Sequence, residues 1–157
     1  MPYFDVFYVR SERGLLISVM VIMFDRDSKT VVYLHGNGGH KMEALQLGCG
    51  KVNIVAFDFC GCGKSQGEYV TYGENEARDV AAVVGEVRRK FNVGKVVVWG
   101  RSMGASIGIM YASLYPKDVS SLILDTPFRW LKEVVRNIGE HNNSMPNFLI
   151  SIGMSMV

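Results

Sequence analysis

Cysteine is scarce in this chain: Cys49, Cys60 and Cys62 are the only 3 in 157 residues. An odd number without C-x-x-C spacing offers neither a disulfide framework nor a zinc site. No metal is therefore expected, and a reducing, cytoplasmic setting is the simplest home. A surplus of charge is also lacking. The formal net charge is +2 with 20% charged residues, which gives no electrostatic footprint for nucleic acid. The one basic cluster, Arg88-Arg89-Lys90, falls at the end of an expected helix, where cations complement the macrodipole and the last carbonyls. Long apolar runs are absent too. The most apolar stretches, 14–24 and 148–157, are far shorter than the roughly 20 residues of a membrane helix, so no transmembrane segment is expected. The N-terminus does not read as a signal peptide, because Pro2 and Asp5 stand where a basic region leading into an apolar core is required.

What is present suits one domain, with 48% hydrophobic residues to build a core. Residues 6–10 and 15–24 are rich in β-branched and aromatic side chains and predict two strands around a turn at 11–14. After a polar turn at 25–29, Thr30-Val31-Val32-Tyr33-Leu34 is a continuous apolar run suited to a doubly covered parallel strand. A short helix over 40–47 and a strand over 53–59 follow, the strand ending in a glycine turn at 61–67. Thr71 and Glu74 have capping-box spacing for a helix running to Phe91. Its apolar stripe, Ala77, Val80, Val84, Val87 and Phe91, steps by three and four. A buried strand over 95–99, a helix over 102–115 stopped by Pro116, and a strand over 119–124 complete the alternation. Thr126-Pro127 then offers a cap and first-turn proline for another helix. Alternation of this kind predicts a three-layer α/β fold with a mostly parallel sheet and right-handed crossovers. Ligands in such sheets bind beyond the carboxyl ends of the strands, where every glycine-rich loop of this sequence falls.

Chemistry concentrates in Gly100-Arg101-Ser102-Met103-Gly104. A serine hydroxyl is a weak nucleophile and needs exposure, a base and donors for the developing oxyanion. A tight strand-to-helix turn supplies the exposure and the donors together, and its glycines remove side chains that would clash where strand and helix nearly touch. G-x-S-x-G alone arises by chance about once in twenty chains of this length, but here it lies between a strand and an apolar helix, the setting it requires. Ser102 is the candidate nucleophile, and the Met103 N–H is one candidate oxyanion donor. The second is the Asn37 N–H in His35-Gly36-Asn37-Gly38-Gly39, the loop after an earlier strand. His35 is expected to pin that loop by hydrogen bonding rather than to act as a base, and His40 to stand exposed at a helix start.

Gly63-Lys64-Ser65 is a decoy for a phosphate-binding loop. The full pattern needs a glycine where Asp58 stands, and a helix directly after Ser65, where Gln66-Gly67-Glu68-Tyr69 intervenes. The segment is expected to shape a loop beside the active site.

Four blocks now carry a family resemblance: Tyr33-Leu34-His35-Gly36-Asn37-Gly38; Phe57-Asp58-Phe59-Cys60-Gly61-Cys62-Gly63-Lys64-Ser65; Trp99-Gly100-Arg101-Ser102-Met103-Gly104-Ala105; and Leu124-Asp125-Thr126-Pro127-Phe128. In this order they resemble an α/β-hydrolase of the serine aminopeptidase-like and depalmitoylase-like group. The resemblance implies hydrolysis of an ester, thioester or amide of a small-molecule acyl or peptide substrate, through an acyl-serine and with no cofactor. It also implies a triad order of serine, acid and histidine on loops after later strands, and on this reading 1–157 is one incomplete hydrolase domain that lacks its C-terminal strands, with a cap or helical segment beginning in about 126–157. Asp125 and His141 are the local substitutes that the sequence offers for acid and base; Asp125 equally suits a structural role at the helix start, and His141 a surface loop. The alternative function is an impaired hydrolase that serves as a binding module through an exposed sheet edge after 119–124.

Overall fold

The computed structural model describes residues 1–47 and 50–127. Among the described residues six strands form one sheet: β1 (Tyr3–Arg10), β2 (Leu16–Met23), β3 (Thr30–Leu34), β4 (Asn53–Phe57), β5 (Val96–Arg101) and β6 (Val119–Asp125). Their spatial order is β1-β2-β4-β3-β5-β6. β4, β3, β5 and β6 run parallel, and β2 is antiparallel to β4 and β1. The strand order reverses between β3 and β5, which makes the ends of those two strands the natural crevice of the sheet.

Register decides which residues meet which layer. Val19, Phe57, Val55, Val32 and Val98 fall on one face by their pairings, and all are buried. That face is covered by α1 (Glu74–Phe91) and α2 (Met103–Leu114), whose Val80, Val84, Val87, Ile107 and Tyr111 are buried. On the other face Met20, Ala56, Ile54 and Tyr33 cluster with Ala44, and Ile22, Leu47, Val52 and Trp99 pack around them. The α/β, three-layer expectation is therefore met. Among the described residues no helix is long and apolar enough to span a bilayer.

Three local readings need correction. The helix expected over 40–47 is a 3-10 segment, Lys41–Gln46. Its anchor is a single buried apolar residue, Ala44, which leaves no stripe long enough to hold an α-helix. The capping partner of α1 is not Glu74. The helix begins one residue after Gly73, so its third position is Glu76, whose carboxylate accepts the Gly73 N–H at 2.8 Å, the Thr71 N–H at 2.8 Å and the Thr71 hydroxyl at 2.7 Å. Glu74 lies outside and pairs with Arg78 at 2.6 Å. The strand expected over 53–59 stops at Phe57, because the next residue turns its carboxylate inward.

That residue is Asp58, 1% exposed. It accepts hydrogen bonds from the Lys41 N–H at 2.8 Å, the Lys41 ammonium at 2.6 Å and the Lys64 N–H at 2.9 Å. A Cβ on Gly63 would collide with this carboxylate, and Gly63 has φ +51°. Ser65 ties its hydroxyl to the Asp58 carbonyl at 2.5 Å and accepts the Ser18 N–H at 2.8 Å. The glycine-lysine-serine segment is thus committed to a buried carboxylate and a neighbouring strand. Burial alone would raise the Asp58 pKa, but the hydrogen bonds from Lys41 and Lys64 and the Lys41 charge outweigh it and hold the group below the usual carboxylate range. Its stabilising contribution is present above the unfolded value of about 3.9 and is lost as pH falls through the lowered folded value. Asp58→Asn strands a buried ammonium and is expected to cost about 3–5 kcal/mol. Adding Lys41→Met is expected to recover part of that loss, as read by urea unfolding at neutral pH.

Candidate active site

β5 runs without a break through Gly100 and Arg101 into α2. Ser102, at the junction, has φ +50° and ψ −114°, a conformation that a non-glycine residue adopts only when its surroundings impose it. Three hydrogen bonds do so. The Ser102 N–H donates to the Asp125 carbonyl at 2.7 Å, and the Ser102 carbonyl accepts from Ala105 at 3.0 Å and Ser106 at 3.2 Å. The flanking glycines answer a steric demand. A Cβ at Gly100 would stand 2.5 Å from Ala105 Cα, and one at Gly104 would stand 2.5 Å from the Leu34 carbonyl carbon. β5, α2 and the end of β3 therefore close on one another around the serine.

The loop after β3 lies against this turn. A Cβ at Gly36 would be 3.5 Å from the Arg101 carbonyl and 3.6 Å from Ser102 Cβ. A cleft of about 340 Å³ is lined by residues 36–39 of this loop together with Glu43, Arg101 and Ser102. Ser102 and Asn37, singled out from sequence, thus share one cleft. Met103 is buried and opens α2, where a backbone N–H has no intrahelical acceptor and the helix dipole is positive. Glu43 and Arg101 are the charged groups of this cleft, and sequence reasoning passed over both. The signal for Glu43 was its place three residues after His40; Arg101 was visible only as the variable position of the serine motif.

His35 is fully buried. Its Nδ1 lies 2.7 Å from the Gly36 carbonyl, and its Nε2 lies 3.2 Å from the Phe59 nitrogen. Because the Phe59 N–H can only donate, Nε2 is the acceptor and the Nδ1–H donates to Gly36. Both nitrogens are occupied in holding the loop. Burial drives the His35 pKa below its ordinary value despite its backbone hydrogen bond. The sign follows: stability is complete above the unfolded value of about 6.5 and declines as pH falls toward the lowered folded value. Urea unfolding is expected to show falling stability between about pH 7 and 5, a slope that His35→Gln removes; an unchanged slope in the variant would contradict this assignment. His40 is exposed and precedes the 3-10 segment.

The acid and base readings fare differently. Asp125 ends β6 opposite Arg101. Its carbonyl holds the Ser102 N–H, while its carboxylate lies 3.8 Å from Arg101 Nε. It lines a neighbouring cleft with Tyr33, Glu43, Trp99 and Arg101 rather than the Ser102 cleft. In that second cleft the Tyr33 hydroxyl donates to Glu43 at 2.8 Å, and burial with this carboxylate lifts the Tyr33 pKa to about 12. His141, and the cap expected over most of 126–157, lie outside the described residues, as does Cys49. Cys60 is buried beside Asp79, and burial raises its thiol to about 12, so it stays protonated. Among the described residues no group of three His, Cys, Asp or Glu side chains is placed to hold a metal.

A strained serine between a parallel strand and a helix, facing a glycine loop at the switch point of the sheet, defines the hydrolase class of α/β proteins. The alpha/beta hydrolase fold family matches residues 29–150, and the chain belongs to it. It is 32% identical over 101 residues to a proline iminopeptidase of Neisseria meningitidis, covering 62% of this chain and 32% of that one. An uncharacterized protein of Acanthamoeba polyphaga mimivirus is 25% identical over 143 residues, covering 83% and 49%. Among solved structures, the Pyrococcus furiosus esterase Pf2001 superposes with a TM-score of 0.79 at 26% identity, covering 98% of this chain and 64% of the esterase. The chain thus spans half or less of the length of these two curated relatives.

Proposed function

We propose that this chain provides the nucleophile and oxyanion half of a serine hydrolase acting on an ester, thioester or peptide bond. The observation that carries the reading is Ser102 itself, held at φ +50° by three backbone hydrogen bonds and opening onto a cleft shared with Asn37. In this reading Ser102 Oγ attacks the carbonyl carbon, and the Asn37 and Met103 N–H groups receive the oxyanion. Collapse expels an alcohol, thiol or amine bearing the proton that left the serine, and water then cleaves the acyl-serine. The route needs no metal or cofactor. Similarity to an iminopeptidase and an esterase supports the bond class, and the reducing character of the cysteine set suits a cytoplasmic setting.

The test is covalent labelling. A fluorophosphonate, whose fluoride is displaced by an activated serine oxygen, should modify Ser102 as mapped by peptide mass spectrometry. A folded protein that remains unlabelled at Ser102 refutes the reading. Running His141→Ala in parallel shows whether the base is carried at that position. A second reading, a non-catalytic module that associates through its sheet edge, is favoured by one observation. β6 pairs only with β5 among the described residues, and Leu122, Ile123 and Leu124 are 37–43% exposed. It predicts self-association in light scattering together with no esterolysis.

A further inference from the structure

The glycine loop that faces Ser102 has a second side. Asn37, Gly38 and Gly39 line the Ser102 cleft and also an adjoining cleft of about 490 Å³, whose other wall is Gly61, Cys62, Gly63, Tyr69, Val70 and Tyr72. The two clefts differ in chemistry. Glu43 and Arg101 put charge into the first, whereas among the described residues no side chain lining the second is charged. Its size lies within the range of about 300–1,000 Å³ typical of small-molecule pockets.

The aromatic wall is built rather than incidental. Tyr72 has φ +57°, a conformation costly for a residue with a side chain. The N–H groups on either side of it, Thr71 and Gly73, both donate at 2.8 Å to the carboxylate of Glu76, which also accepts the Thr71 hydroxyl. Glu76 is fully buried. A buried carboxylate thus grips the backbone before and after Tyr72 and holds it in the left-handed region. Opposite, Gly61 at φ +86° lets the Tyr69 backbone lie directly on the second glycine loop, since a Cβ there would stand 2.6 Å from the Tyr69 carbonyl. Tyr69 itself is 71% exposed, too open for a core residue.

We infer that this cleft is a subsite for an uncharged apolar group, alkyl or aryl, of the substrate whose reacting carbonyl lies at Ser102. The inference rests on the serine hydrolase reading, because the shared lining of residues 37–39 is what sets this cleft beside the one that holds the nucleophile. Stacking and apolar burial against two tyrosines would favour such a group, and the absence of a paired charge would penalise an ionised one.

The test compares second-order labelling rates of a phenylhexyl and an ethyl fluorophosphonate. The wild-type chain is expected to favour the phenylhexyl probe by about tenfold or more, the effect of burying a few methylene groups. Tyr72→Gly removes the ring and relieves the positive φ, so the fold is not put at risk, and Tyr69→Ala removes an exposed ring. Each is expected to bring the ratio toward unity; an unchanged ratio in both overturns the subsite. Esters carrying a phenylbutyl group on the acyl or on the alcohol side then identify the half accommodated, and sensitivity of neither ester to Tyr72→Gly again overturns it. If no fluorophosphonate reacts, the serine reading fails, and the subsite is judged separately on Ser102→Ala protein. Phenylbutyramide should slow alkylation of Cys62 there, and Tyr72→Gly should abolish that protection. Unchanged Cys62 alkylation overturns the subsite.

Discussion

Ser102→Ala is expected to eliminate fluorophosphonate labelling and to lower ester hydrolysis by three orders of magnitude or more, with little change in stability. The size of the effect follows from what the hydroxyl does and what would remain. On the proposed mechanism no acyl-enzyme forms without Oγ, which leaves only the oxyanion donors and binding, about 10³–10⁴ over water where serine-hydrolase triads have been dismantled. The fold is spared because the bonds that hold the turn use the backbone of Ser102, its N–H to Asp125 and its carbonyl to Ala105 and Ser106. Alanine preserves all three. It also keeps a Cβ at φ +50°, so the conformational strain is neither relieved nor increased. Unfolding midpoints and turnover therefore separate the catalytic from the structural role. A Ser102→Ala protein that hydrolyses p-nitrophenyl esters at the wild-type rate would assign any such activity to another group.

The skeleton of this site was readable from sequence because its parts are local. An apolar run ending in His-Gly-Asn-Gly-Gly, and a second ending in Gly-Arg-Ser-Met-Gly, are each contained within ten residues, and parallel-sheet geometry brings their ends together. β3 was legible to its last residue for the same reason: five consecutive buried positions leave no choice of face. Long-range polar commitments were not legible. Lys41 and Asp58 are 17 positions apart and form a pair buried on both sides, and nothing in the pattern of the short helix expected over 40–47 marks its lysine as buried. Glu76 was not singled out, since the capping spacing was read at Glu74, and only the true start of the helix makes Glu76 the residue that grips Thr71 and Gly73. The pattern has a physical cause. Apolar periodicity reports which face is buried, whereas the partner of a buried charge depends on which loops the topology brings together.

Those hidden pairs explain how one end of the sheet can carry so much glycine and still hold a shape. Residues 36–39 have few side chains to anchor them. Their position is fixed from beneath by His35 bridging Gly36 and Phe59, and from the side by Lys41, whose backbone and ammonium both reach Asp58. Asp58 in turn positions Lys64 and the second glycine loop. The two loops that flank the aromatic cleft are therefore tied together by the Asp58 carboxylate and by His35, so their separation is set by shared buried groups rather than by each loop alone.

Gly104→Ala is expected to be the most damaging single methyl group in the described fold. A Cβ there would overlap the Leu34 carbonyl oxygen, stand 2.5 Å from its carbon and 2.7 Å from the His35 carbonyl oxygen. All three are backbone atoms at the end of β3, so no side chain can swing aside. Either α2 retreats from β3 or the β3 loop is pushed from the turn at Ser102, and each breaks packing that is otherwise close and fully buried. A loss of about 4 kcal/mol or more is expected, in the range reserved for core overpacking and forced backbone shifts. Gly108→Ala, four residues further along the same helix, is the control. There the nearest atoms are side-chain carbons, Val98 Cγ1 at 3.1 Å and Leu34 Cδ1 at 3.6 Å, which can yield by a few tenths of an ångström, and the gain in helix propensity of about 1 kcal/mol offsets part of the crowding. Urea unfolding of the two variants should differ by several kcal/mol. In whatever fraction of Gly104→Ala stays folded, displacement of residues 35–39 from Ser102 should depress fluorophosphonate labelling, since the loop lies so near that a Cβ on Gly36 would touch Ser102 Cβ at 3.6 Å. Equal stability of the two alanine variants would mean that α2 and β3 do not meet as closely as the turn at Ser102 requires.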